Sequence, residues 1–307
     1  MMRSLAAVGV TLCVLLTASL ARAQAKEHFG DKGEVIISAD RLVPLDLVSA
    51  NYTLGSAAIG PLQATTSGLA AGNDLWEALS HALCEAIERD AVALWRLLPD
   101  AVQDATTLDL STADPTVHAA LLEKFAAAGV EVRAFDTTSD IRVASVLCLL
   151  GPADNNDEMQ PELGSGCHPD PVVALCRALS EAAQARVTRI SGARDDLVPS
   201  SYEPAPRASR ARAARAWLRA TRCPERGRNC NSLPTCAQST VLSDVAEVLE
   251  RLALAGIHEV IWVNLTHPDI GVPVVRVVVP GLEGPSAPVG GGYVPGARAR
   301  LRQAGLV

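Results

Sequence analysis

Residues 66–98, TSGLAAGNDLWEALSHALCEAIERDAVALWRLL, constrain this chain more than any other stretch. They open with a run of small residues, Ser67-Gly68-Leu69-Ala70-Ala71-Gly72-Asn73, which reads as a loop. A long amphipathic helix follows, and Pro99 ends it. Asp74 stands where an N-cap belongs, and Glu77 three residues later completes a capping-box pattern. At about 100° per residue, Glu77, His81, Glu85 and Glu88 fall within roughly an 80° stripe. Leu75, Leu79, Ala82, Leu83, Ala86, Ala93 and Leu97 take the other face. Carboxylates gathered on one stripe repel each other at neutral pH. A divalent cation, an arginine or open water must relieve them.

The remaining chain supports a layered α/β (α+β) domain. Residues 34–38 and 43–48 read as strands. A helix is predicted over 115–128, with Asp114 as cap, Pro115 at its first position and Gly129 as its stop. Strands follow at 130–136 and 142–150. Residues 151–163 form an acidic Pro/Asn/Asp loop, and Gly164 to His168 lead into a third helix capped by Asp170 and ended by Gly192. Order is weakest over an insert at 193–238. A helix over 243–255 and strands at 258–264 and 272–279 complete the pattern, before a Gly/Pro-rich tail.

Aromatic residues make up only 3% of the chain, so Ala, Val and Leu must build the core. A net charge of −7 argues against a nucleic-acid surface. Residues 1–23 look like a secretory leader: Arg3, an apolar run from Leu5 to Leu20, then Ala21-Arg22-Ala23. No other segment reaches membrane-spanning length. Of the eight cysteines, Cys84, Cys148 and Cys176 read as small buried hydrophobes. Cys223, Cys230 and Cys236 are spaced C-x6-C-x5-C with no His nearby. Loop thiols, a disulfide in an exported chain, or a zinc site all fit that spacing.

Two side-chain groups carry candidate chemistry. Glu77, Glu85 and Glu88 suit magnesium, which takes one or two carboxylates beside phosphate oxygens and water. A solvated acidic face beside Arg89 and Arg96 is the alternative. On the third helix Glu181 and Gln184 share a stripe with Arg177 and Thr188, and Arg186 lies on another side. They could serve phosphate and metal together, or be a helix surface with ordinary pairs such as Arg177–Glu181. No G-x-S-x-G, Walker A or G-x-G-x-x-G pattern occurs.

The wording of three segments adds a resemblance. SGLAAGNDLWEALSHALCEAIERDAVALW resembles the central motif of the YcaO superfamily. GCHPDPVVALCRALSEAAQARVTRISGARDDL resembles its E-x-x-Q-x-R motif. GIHEVIWVNLTHPDIGVPVVRVVVPGLEGP, with Tyr293 to Gly296 and Arg298 beyond, is similar to its C-terminal part, most closely in the TfuA-associated branch. The resemblance covers a YcaO-like domain over residues 30–300. It implies ATP- and Mg2+-dependent activation of a peptide backbone amide during modification of ribosomal peptides. In that branch the product is a thioamide; an azoline-forming cyclodehydratase is the alternative. It further implies that Glu77, Glu85, Glu88 and Glu181 hold magnesium, and that Asn73, Arg89, Gln184 and Arg186 bind ATP. The expected partners are a precursor peptide or protein substrate and a TfuA-like protein, with no nucleic acid or membrane span; a homodimer is compatible.

The family pattern also contains an N-terminal part, with a Gly-Lys-Gly-type segment and an earlier E-x-x-E pair, that has no counterpart here. Asn264 stands where the branch shows Asp. The expectation is therefore an N-terminally truncated domain. It is a fragment of a normal enzyme, an inactive relative acting as a peptide-binding scaffold, or one half of a site completed by a partner. The activity implies a cytoplasmic protein; a genuine leader at 1–23 would imply an exported one.

Overall fold

Where local start and stop signals are strong, the elements form as the sequence dictates. The structure, a computed structural model, describes residues 36–37, 45–48, 65–152, 161–192, 227–284 and 295–304. The leader at 1–23, Cys223 and most of the insert lie outside them. In chain order the elements are β1 (Ile36–Ile37), α1 (Leu45–Val48), β2 (Leu69–Ala71), α2 (Leu75–Arg96), α3 (Asp100–Asp104) and β3 (Leu108–Asp109). Then come α4 (Pro115–Ala127), β4 (Val130–Asp136), β5 (Ala144–Pro152), β6 (Glu162–His168) and α5 (Pro171–Ser191). The last are β7 (Arg228–Asn229), α6 (Val241–Leu254), β8 (Glu259–Asn264), β9 (Val274–Val278) and α7 (Ala297–Gln303).

The predicted caps are real. Asp114 accepts from the Thr116 amide and Asp170 from the Val172 amide. Each satisfies an amide that has no partner inside its helix. At α2, Asp74 accepts from the amides of Trp76 and Glu77 at 2.8 and 2.9 Å. The capping box does not close, because Glu77 turns to Asn73 instead.

Three segments differ from expectation. Residues 45–48 form one helical turn rather than a strand. The small-residue loop contains a strand, β2, paired antiparallel with β9 from Leu69↔Arg276 to Ala71↔Val274. The segment expected as loop before the third helix contains β6, which pairs with β5 over its whole length. β2 is Leu-Ala-Ala between Gly68 and Gly72, and β6 carries Gly164, Ser165 and Gly166; Gly, and to a lesser degree Ala, are depleted in strands. Both strands form because a helix or neighbouring strand lies so close that side chains would not fit. A Cβ on Gly166 would sit 2.2 Å from the Ala174 carbonyl oxygen, and one on Gly164 would sit 2.1 Å from the Ala182 nitrogen.

The chain divides into two compact units. The first comprises residues 1–89 and 238–297. Its sheet has the order β1-β8-β9-β2, with β1 parallel to β8 and the other pairs antiparallel. In α6, Val245, Val248, Leu249 and Leu252 are buried, the spacing of one helix face.

The second unit comprises residues 90–237 and 298–307. Its main sheet is the antiparallel β4-β5-β6. Every residue of β5 is buried, so the strand reads as a continuous apolar run. Ala144, Val146, Cys148 and Leu150 join the cluster that contains Leu175, Ala178 and Leu179 of α5. Leu147 and Leu149 point the other way, to Val92, Trp95 and Phe135. The Trp95 and Phe135 rings lie 5.2 Å apart. Residues 227–238, at the end of the insert, contribute Cys230 and Leu233 to the α5 side.

The six described cysteines are free thiols. Cys84 and Cys148 are buried as expected, whereas Cys176 is only half-buried. Burial pushes the Cys148 thiol far above its ordinary range, with smaller contributions from Cys230 and Glu181. Cys230 donates to the Asp109 carbonyl oxygen. Among the described residues no group of three or more His, Cys, Asp or Glu is placed to hold a metal. Nor is any described helix long and apolar enough to cross a membrane.

An arginine organises the charge in the second unit. Arg298 donates from Nε and Nη2 to both oxygens of Asp90, at 2.9 and 3.1 Å, and also to Asp140. Asp90 is fully buried. Burial alone would lower the Arg298 pKa, but the Asp140 and Asp90 carboxylates outweigh it and leave it above its usual value.

Candidate functional site

In the first unit the acidic stripe finds its counter-charges within the protein. Asn73 holds Glu77: its amide and its Nδ2 donate to Glu77 Oε2 at 2.7 and 2.8 Å. The Asn73 amide, then its side chain, lower the Glu77 pKa below the ordinary value of 4.5; His81 adds a smaller pull in the same direction. A carboxyl depressed in this way stabilises the folded state above its unfolded pKa, and that contribution disappears as pH falls through the folded value. Asn73→Ala removes the side-chain bond and keeps the backbone one. The expected result is a Glu77 titration that moves part of the way back toward 4.5, read by carboxyl NMR. No movement would mean that the side chain does not hold the carboxylate. His81 Nδ1 lies 3.3 Å from the Ala71 carbonyl oxygen, tying α2 to β2. Its Nε2 is 4.0 Å from Glu77.

Glu85 is held differently. Gly68 donates its amide to Glu85 Oε2 at 3.1 Å, and Arg89 Nη2 reaches Oε1 at 3.4 Å. Gly68 is required there: its φ is +78°, and a Cβ would lie 2.2 Å from the Val277 carbonyl oxygen. A second arginine, not identified from sequence, completes the group. Arg276 lies in β9, is 3% exposed, and donates from Nε to the Leu47 carbonyl oxygen. Burial lowers its pKa, and the Glu85 carboxylate counters that. Its signal was visible in the text: a lone arginine inside the apolar run Val274-Val275-Arg276-Val277-Val278. Charges are rarely buried without a partner. Arg89 Nε and Arg276 Nη1 are both buried, with no hydrogen-bond partner among the described residues. Glu88 is buried at 8% exposure on the same helix.

The second group belongs to the other unit. Glu181 Oε2 accepts from the Ser165 amide at 2.6 Å and from its hydroxyl at 3.1 Å. The expected Arg177–Glu181 pair is replaced, for Arg177 donates to the Cys167 carbonyl oxygen. Gln184 is exposed and Arg186 half-buried. Both groups use one construction. A carboxylate about three turns into a long helix reaches back to a backbone amide in or beside the strand that precedes the helix. The separations are 17 residues for Gly68–Glu85 and 16 for Ser165–Glu181.

Comparison with known proteins gives this arrangement a family. The profile of the YcaO cyclodehydratases, described as ATP- and Mg2+-binding, matches residues 36–283. The chain belongs to the YcaO family. An uncharacterized protein of Methanothermobacter thermautotrophicus is 37% identical over 242 residues, 78% of this chain and 61% of its own length. An uncharacterized protein from the tfuA 3' region of Rhizobium leguminosarum bv. trifolii is 35% identical over 225 residues, 71% of this chain and 52% of its own. The YcaO chain thus spans between half and two thirds of these relatives.

Among solved structures, YcaO from Methanopyrus kandleri bound with AMPPCP and Mg2+ matches with a TM-score of 0.57 at 26% identity. The match covers 73% of this chain and 57% of that one. A heterocyclase in complex with substrate and cofactor reaches a TM-score of 0.63 at 23% identity over 79% of this chain and 31% of its own, which shows the fold. The layered α/β domain expected from sequence is therefore a YcaO domain.

Proposed function

We propose that this YcaO domain takes part in ATP- and Mg2+-dependent activation of a peptide backbone amide. The observation that carries the reading is the pair of buried, unsatisfied N–H groups beside Glu85, Arg89 Nε and Arg276 Nη1. An unmatched buried donor is costly, and phosphate oxygens are the acceptors that guanidinium groups best accommodate. The residues present therefore fit a nucleotide phosphate. Bound ATP and magnesium would supply the phosphoryl group that activates the amide oxygen. Asn73, Arg89, Gln184 and Arg186 bind ATP in this reading, and Glu77, Glu85, Glu88 and Glu181 hold magnesium. The role of Asn73 is to fix the Glu77 carboxylate in its ionised form, ready for a cation. Gly68 and Ser165 do the corresponding positioning for Glu85 and Glu181. Transfer of a phosphoryl group asks mainly for such positioning and charge neutralisation.

The substrate class we propose is a precursor peptide. The product is a thioamide made with a TfuA-like partner, supported by the tfuA-linked relative. An azoline is the competing product, since the family profile is named for cyclodehydratases. The protein would act in the cytoplasm, where ATP is available.

A second reading has an observation of its own. Glu77, Glu85 and Glu181 are each already bonded inside the protein, as a non-catalytic, peptide-binding relative would require. Titration calorimetry with a nonhydrolysable ATP analogue and magnesium separates the two. Binding that weakens at least about tenfold, about 1.4 kcal/mol, in Glu85→Gln and in Arg276→Gln, both still folded, is the expected result. Binding absent from the wild type would support the non-catalytic reading, and binding unchanged in both variants would overturn the placement of the nucleotide at Glu85 and Arg276. With peptide and partner present, mass spectrometry then identifies the product: exchange of oxygen for sulfur means a thioamide, loss of water an azoline.

A further inference from the structure

The second unit contains a cavity of about 370 Å3 that the ATP reading does not use. One wall is formed by Ala91 and Leu94 in the last turns of α2 and Leu98 just beyond it, which present an apolar face. Trp95 closes the same wall. Its indole Nε1 is taken by Thr106 Oγ1 at 2.9 Å, and its ring is braced on Phe135. The tryptophan therefore offers an aromatic surface in a fixed orientation.

Arg228, Arg298 and Arg302 line the cavity together with Asp136 and Asp140. Two of the cations are committed. Arg298 is held between Asp90 and Asp140, and Arg228 pairs with Asp136 at 2.8 Å. Arg302 follows Arg298 by four residues on α7 and so shares its face. Its Nε is buried and has no hydrogen-bond partner among the described residues. The cavity lining thus includes a cation whose Nε has no partner among the described residues, beside an apolar and aromatic wall.

We propose that this cavity binds a single carboxylate carried on an apolar or aromatic body. A carboxylate accepts two parallel bonds from a guanidinium and would satisfy Arg302 Nε. A phosphate dianion fits less well, because Asp136 and Asp140 line the same space and would repel the second charge. The apolar wall supplies the contact area, and the volume lies in the range of small-molecule sites. This chemistry has two sources: the C-terminus of a peptide ending in an apolar residue, or a free small acid.

The test is calorimetric titration of the full chain with N-acetylphenylalanine, with N-acetylphenylalanine amide, and with a longer peptide ending in a phenylalanine carboxylate. Millimolar or tighter binding of the acid is expected, with the amide at least tenfold weaker. Arg302→Gln should weaken the acid at least tenfold and leave the amide unchanged. Arg302→Lys, which keeps the charge and removes Nε, should fall between. An unchanged melting temperature shows that both variants are folded. If the longer peptide binds at least as tightly as the short acid, the site reads a peptide end; if only the short acid binds, it reads a free acid. Equal binding of acid and amide, binding unaffected by Arg302→Gln, equal displacement by inorganic phosphate, or no heat at millimolar acid would each overturn the proposal. The inference is independent of ATP binding, so neither result decides the other.

Discussion

Asp90→Ala is expected to destabilise the protein by about 3–5 kcal/mol in urea denaturation. The substitution removes a fully buried carboxylate that accepts from two nitrogens of Arg298. The guanidinium side chain is 11% exposed and would keep only Asp140, whose own side chain is 40% exposed. Breaking one partner of a buried pair leaves the other charge without compensation, and that penalty exceeds anything the pair contributes by attraction alone. A domain stable by roughly 5–15 kcal/mol could lose most of its margin. Asp140→Ala is expected to cost no more than about 1 kcal/mol, because water already shares that carboxylate. Replacing both Asp90 and Arg298 by Leu should recover much of the loss. An Asp90→Ala protein within about 1 kcal/mol of wild type would sink this account of the pair.

Gly166→Ala is expected to cost about 3 kcal/mol or to prevent folding altogether. The added Cβ meets the Ala174 carbonyl oxygen at 2.2 Å and the Ala178 nitrogen at 2.6 Å. These are backbone atoms in the first half of α5, and no side-chain rotation relieves them. The helix would have to lift from β6. That movement would draw Glu181 from the Ser165 amide, so loss of stability and loss of the carboxylate clamp should appear together. Gly284→Ala, where a Cβ meets nothing among the described residues within 4 Å, is the control and should stay within about 0.5 kcal/mol of wild type. Comparable unfolding midpoints for the two variants would show that β6 and α5 are not packed backbone to backbone.

The sequence made some of this legible and hid the rest for identifiable reasons. Helices α4 and α5 announced themselves through Asp-Pro starts and glycine stops, because capping is a local interaction. Strand β4 was readable to the residue from its alternation of Val, Phe and charged positions. Strands β2 and β6 were not. The glycines beside β2 and within β6 look like loop formers until a neighbouring backbone is known to lie within contact distance, and that is a tertiary fact. The acidic stripe on α2 was legible through its helical period. What neutralises Glu85 was only half legible: Arg89 lies on the same helix, whereas Arg276 arrives on a strand near the other end of the chain. The capping box failed for a related reason. Asn73 offers Glu77 two donors, and an amide plus a carboxamide outcompetes a single backbone amide at the cap.

Strand β5 has a consequence for how such a chain can vary. A strand with one wet face is kept in register by polarity, since a slip by one residue exposes its apolar side. Residues 144–150 have no wet face: their even members line one core, Leu147 and Leu149 line the other, and Ser145 hydrogen-bonds Thr137. A slip would expose nothing and would simply exchange the two sets. Cys148 would then meet Trp95, and Leu147 and Leu149 would crowd the alanines of α5. Shape, not solubility, keeps this strand in place. Substitutions along it should therefore be tolerated in volume-matched partnerships, even positions with α5 and odd positions with the end of α2. A deletion of one residue here would be more damaging than several conservative exchanges.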